Sequence, residues 1–110
     1  MAGYYHDEDL PRFAEMGKSA PGPWQKFQAW YSSVFAVGAL GARDKSLIAL
    51  AVAHAVRCPY WIDAFTEDCL EKGASLEQMT EAIHVAAAIG GGSSLMHGLQ
   101  MRNAAAKLLR

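Results

Sequence analysis

The chain has 110 residues, with 10 Lys and Arg against 11 Asp and Glu, a formal net charge of −1 and 52% apolar residues. That length suits one domain with a modest core, and the near-neutral charge excludes a basic field for nucleic acid or an anionic membrane surface. With only 19% charged residues there is little charge to cover the surface, so a homo-oligomer is expected.

Residues 1–23 hold Tyr4, Tyr5, His6, Asp7, Glu8 and Asp9, then Leu10, Phe13 and Met16 at helical spacing before Gly17 and a Ser-Ala-Pro-Gly-Pro stretch. This predicts a short helix and a loop forming an N-terminal extension. The first twenty residues, Met1 to Ala20, are charged and lack the apolar core of a signal peptide, and only two cysteines occur, so a cytoplasmic protein is expected.

From Pro23, the residues Trp24, Phe27, Trp30, Tyr31, Val34 and Phe35 recur every three or four positions, giving a second helix with an aromatic face that ends at Gly38 and Gly41. Asp44 is placed to open a third helix, Lys45 to about Val56, which is apolar on every side and therefore central. Its longest apolar run, Leu47 to Val56 with His54 inside it, is well short of the roughly 20 residues that cross a bilayer. A fourth helix is predicted from Pro59 to about Lys72, stopping at Gly73, with Trp61, Ile62, Phe65 and Cys69 inward. Ser75 and Gln78 form a capping box for a fifth helix, which Gly90, Gly91 and Gly92 are expected to end. A last helix then restarts at Ser93 or Ser94 and carries Leu95, Leu99, Ala106 and Leu109. With no period-two stretch between hairpin turns, the chain reads as all-α, a compact bundle of about six helices.

Chemistry is readable at one junction, His54-Ala-Val-Arg-Cys58-Pro-Tyr-Trp61-Ile-Asp63. Pro59 suits the first turn of a helix, which makes Cys58 the N-cap, where unpaired N–H groups and the helix dipole favour a thiolate. His54 lies one turn upstream and either accepts the thiol proton or satisfies a backbone carbonyl. Cys69 is eleven residues further along the same helix, roughly 16 Å away, and cannot pair with Cys58 because a disulfide needs α-carbons within about 7 Å. It reads as an ordinary buried thiol. His54, Cys58 and Asp63 match no closed zinc pattern, and the triple glycine lacks the strand and lysine of a phosphate loop, so neither metal nor cofactor is expected. His84 and His97 flank the triple glycine, where a chain reversal would turn them towards a shared pocket.

Leu47-Ile-Ala-Leu-Ala-Val-Ala, Cys58-Pro-Tyr, Gly73-Ala-Ser-Leu-Glu-Gln-Met and the alanine-rich run from Glu81 into Gly90-Gly91 resemble the carboxymuconolactone decarboxylase and alkylhydroperoxidase D family over about residues 25–103. Ala53-His54 through Asp63 to Asp68-Cys69-Leu is similar to its arsenosugar biosynthesis-associated peroxidase-like branch. The resemblance implies a single all-α domain over 1–110 with residues 1–23 as an extension, trimers or hexamers, and an enzyme of alkylhydroperoxidase (peroxiredoxin-type) activity. It implies a peroxide or other small oxidant as substrate and an external thiol as reductant. The family uses a Cys-x-x-Cys pair with a glutamate twelve residues before the first cysteine and a histidine four after the second. Here those positions hold Cys58, Trp61, Ser46 and Phe65. Trp61 thus stands where a second cysteine, or a selenocysteine read from UGA, belongs, and His54 and Asp63 are the residues left to tune Cys58. Without the second cysteine no intramolecular disulfide closes, so weak or absent peroxidase turnover is expected. A non-catalytic scaffold or small-molecule binding protein is the alternative, and a lactone decarboxylase the third, disfavoured by the missing glutamate.

Overall fold

Prolines open the first elements. Leu10–Gly17 forms a 3₁₀ helix with Pro11 in its first turn, and Pro21–Phe35 forms α1, again with proline at its start. Arg12 bonds Glu15 three residues on, the spacing at which side chains eclipse in a 3₁₀ turn. Then come α2 (Ala42–Ala55), α3 (Pro59–Glu71) and α4 (Leu76–Leu108). The computed structural model describes residues 3–110, among which all regular structure is helical. Of the N-terminal extension, residues 1 and 2 lie outside the described residues.

Two expectations are corrected. Gly41, not Asp44, precedes the first turn of α2; its extended backbone forms the cap without a side-chain bond, and Asp44 sits inside that turn, where its charge suits the dipole. The triple glycine does not end a helix. α4 runs unbroken for 33 residues, so the described residues form four α-helices and one 3₁₀ helix rather than six helices. Three interior glycines cost roughly 3 kcal/mol of helix propensity relative to alanine, yet Ala86, Ala87 and Ala88 before them and Leu95, Met96 and Leu99 after them are strong formers that carry the helix through. The capping box is present as predicted, with Gln78 N–H donating to Ser75 Oγ at 3.1 Å and Ser75 N–H to Gln78 Oε1 at 2.9 Å.

The central position of α2 is borne out, since it packs against both α3 and α4. Ser46, Leu50 and Ala53 are its buried stripe, and Leu50 joins Phe65, Cys69, Ala74 and Met79 in the core. The aromatic face of α1 closes one side, with Phe35 stacked on Phe65 (ring centroids 5.3 Å apart) and Tyr31 on Trp61 (5.9 Å). Lys45 on α2 donates to the carbonyls of Val34 (2.7 Å) and Ala36 (2.6 Å), satisfying the end of α1. Gly17 lies so close under the Trp24 ring that any side chain there would displace the indole.

The second half of α4 has almost no neighbours. Leu95, Met96, Met101 and Leu108 are 82%, 67%, 64% and 84% exposed. The radius of gyration is 18.8 Å, against about 13 Å for a globule of this length.

Candidate functional site

The α2–α3 turn is a complete Schellman motif: Arg57 N–H donates to the His54 carbonyl at 3.1 Å and Cys58 N–H to the Ala53 carbonyl at 3.0 Å. The residue that must enter the left-handed region is Arg57, at φ 56°, a conformation that costs a residue with a side chain about 1–2 kcal/mol. The turn after α3 repeats both bonds with Gly73 in the same place, at φ 81°, where no such penalty applies.

This turn delivers Cys58 to the start of α3 as its N-cap, half-buried, with its carbonyl accepting Ile62 N–H at 2.9 Å. The sulfur itself takes no hydrogen bond from the first turn, which corrects the expectation that unpaired N–H groups meet it; the cap is made by the backbone alone. Cys58 opens into a concavity of about 470 Å³ between α3 and the N-terminal 3₁₀ helix, with Arg12, Phe13, Met16 and Trp61 among its walls. Tyr60 pins that helix, donating to Asp9 Oδ2 at 2.8 Å, while His6 N–H donates to the same oxygen at 3.0 Å. These bonds, the His6 backbone first, hold the Asp9 carboxyl below its usual range, and the bond to Asp9 pushes Tyr60 up to about 12.

Trp61 lies in an aromatic cluster, 5.4 Å from Phe13, 5.9 Å from Tyr31 and 6.1 Å from Phe65 by ring centroids. It ties the extension, α1 and α3 together. The indole therefore has a packing role of its own at the second-cysteine position.

His54 and Asp63 do not share the thiol's concavity. His54 Nδ1 lies 2.9 Å from the Leu50 carbonyl, and because a carbonyl only accepts, Nδ1 carries the proton and Nε2 is left free. This is the backbone-satisfying reading of His54. Its ring lines a separate concavity of about 680 Å³ between α2 and α4, together with Arg57, Ser93 and Ser94. Asp63 is exposed and borders a third concavity with His6, Asp7 and Glu67. Nor do His84 and His97 meet, since they lie thirteen positions apart along unbroken helix, roughly 20 Å; His97 Nδ1 instead donates to the Ser93 carbonyl at 2.8 Å.

Cys69 is fully buried, as expected. Its sulfur lies 3.4 Å from Ser46 Oγ, which donates its proton to Asp68 Oδ2 at 2.7 Å, and Lys72 pairs with the same carboxylate. Burial raises the Asp68 carboxyl, but the bonds from Lys72 and Ser46 outweigh it and leave the group below its ordinary value. Ser46, at the glutamate position of the resemblance, thus serves a structural network between α2 and α3. Sequence reasoning missed this network, the Asp9–Tyr60 latch and Arg57. The first two join residues 22 and 51 positions apart, and the last sits where a glycine is the usual signal.

The carboxymuconolactone decarboxylase family model matches residues 25–103. A Paracoccus denitrificans protein described as uncharacterized protein 4 in the cox locus is 45% identical over 71 residues, which span 64% of this chain and 64% of that protein. The fold is similar to a crystal structure of a protein from Methanobacterium thermoautotrophicum, with a TM-score of 0.73 and 31% identity over 76% of this chain and 94% of the other. Among the described residues, no helix is long and apolar enough to cross a membrane.

Proposed function

Because the chain belongs to the carboxymuconolactone decarboxylase family, we propose that it is a thiol-dependent peroxidase of the alkylhydroperoxidase D type that works with the single redox cysteine Cys58. The observation that carries this reading is the contrast between the two thiols. Cys58 is half-buried at a helix start and opens into a groove, whereas Cys69 is sealed in the core. The groove's mix of Arg12 with Phe13, Met16 and Trp61 suits a small organic hydroperoxide.

The Cys58 thiolate attacks the terminal peroxide oxygen; the O–O bond breaks, the sulfur becomes a sulfenic acid, and the alkoxide leaves and takes a proton to become the alcohol. An external thiol then displaces water to give a mixed disulfide, and a second thiol releases Cys58 and leaves as the oxidised disulfide. The net change is one hydroperoxide and two thiols to one alcohol, one water and one disulfide. Trp61 blocks the internal route, so turnover is slow and set by the external thiol. His54 and Asp63, which line other concavities, are not assigned a step. The peroxidase works as a homo-oligomer, a reading supported by the uncovered apolar half of α4, and in the cytoplasm, where external thiols are kept reduced.

The test is dimedone labelling after a stoichiometric pulse of cumene hydroperoxide. Label is expected on the native chain and on Cys69→Ala and absent from Cys58→Ser. A native chain that takes no label and alkylates no faster than a free peptide thiol points instead to the non-catalytic scaffold.

A further inference from the structure

The concavity between α2 and α4 is bordered by two local choices that the chain's own packing does not require. Arg57 holds a left-handed backbone where Gly73 serves the same motif without strain, and it forms no ion pair among the described residues. Gly90 and Gly91 stand in the middle of a helix, yet a side-chain carbon added at either would meet nothing within 4 Å. Their smallness answers no neighbour in this chain, and both line the concavity. Both choices face one space of about 680 Å³, within the usual range of about 300–1,000 Å³ for small-molecule sites.

We infer that this concavity binds a small organic monocarboxylate with an apolar body, held at its head by Arg57. No lining group is acidic. The guanidinium offers two parallel N–H donors matched to a carboxylate, and the hydroxyls of Ser93 and Ser94 add donors from α4. Nδ1 of His54 donates to the Leu50 carbonyl, so Nε2 presents a lone pair and offers the carboxylate no donor, and the charged contact is Arg57's alone. Ala51, Val52, Ile83 and Ile89 supply the apolar wall for the ligand's body. The site does not rest on the redox chemistry of Cys58, so each reading fails on its own experiment.

Octanoate is titrated calorimetrically into the full-length protein at neutral pH, with octanol as the neutral control. Saturable binding at one site per chain is expected, with octanol weaker by roughly tenfold or more, the loss of a charge-assisted pair. Arg57→Gly, which the turn accepts, is expected to weaken octanoate by a similar factor while leaving octanol unchanged, and Gly91→Leu to remove binding of both. Equal affinity for octanoate and octanol, undiminished octanoate binding by Arg57→Gly, or absence of saturation overturns the proposal. So does a fall in sedimenting mass on Gly91→Leu without octanoate binding to the native protein, which would make this face a contact between copies.

Discussion

Arg57 occupies the same place in the turn after α2 that Gly73 occupies in the turn after α3, with the same two backbone hydrogen bonds around each. Replacing Arg57 by glycine is therefore expected to raise the unfolding free energy by about 1 kcal/mol, and Gly73→Ala to lower it by about 1 kcal/mol. Urea titrations of the two variants at one protein concentration check this; a destabilised Arg57→Gly would mean that the side chain contributes more than the strain removes.

Trp61→Cys recreates a Cys-x-x-Cys pair and removes the indole from between Phe13, Tyr31 and Phe65. Peroxide turnover with a dithiol reductant is expected to rise while stability falls by about 3 kcal/mol, the usual scale for truncating a large aromatic. Both are measured on the same preparation. A stable variant with no gain in turnover removes the paired-thiol ancestry of the site from consideration.

The Ser46–Asp68–Lys72 network makes stability depend on acid. The folded Asp68 carboxyl lies below its ordinary value of 3.8, so its contribution is present above that value and is lost as pH falls through the folded pKa. Asp68→Asn is expected to flatten the stability curve below about pH 4. Ser46→Ala, which removes one of the two donors to that carboxylate, is expected to cost about 1–2 kcal/mol at neutral pH. Chemical denaturation from pH 2 to 7 separates the two effects.

The latch from Tyr60 to Asp9 holds the N-terminal 3₁₀ helix beside Cys58. Tyr60→Phe is expected to speed iodoacetamide alkylation of Cys58 several-fold at pH 7.5, a rise of the size that losing one part-buried hydrogen bond produces, and Asp9→Ala, which also removes the acceptor of His6 N–H, at least as much. The phenol is raised to about 12, so the latch is intact below the ordinary value of 10 and opens as pH climbs through 12. The absorbance titration at 295 nm should lose its highest inflection in Tyr60→Phe.

Much of this architecture was legible in the residues. Pro59 marked the start of α3, Gly73 its end, Ser75 with Gln78 the start of α4, and the spacing of Trp24, Phe27, Tyr31 and Phe35 the packed face of α1, because these signals act within one or two turns of backbone. The triple glycine misled because a local propensity deficit competes with strong helix formers on both sides. The placement of His54, Cys58 and Asp63 on three separate concavities was not legible. It depends on which neighbouring helix covers each face, and a two-residue offset around a turn redirects a side chain by most of a half rotation. The resemblance singled out positions 58 and 61, while the packing of Trp61 emerged only with its aromatic neighbours.

The length of α4 has a consequence for how this protein is handled in solution. The apolar second half of α4 finds little cover within its own chain; in the proposed homo-oligomer partner subunits cover it, and mass action then enters the folding equilibrium. In that proposed assembly dilution acts as a denaturant of the C-terminal segment: amide exchange there is expected to quicken as the protein concentration is lowered, while the amides of α2 and α3 keep their protection.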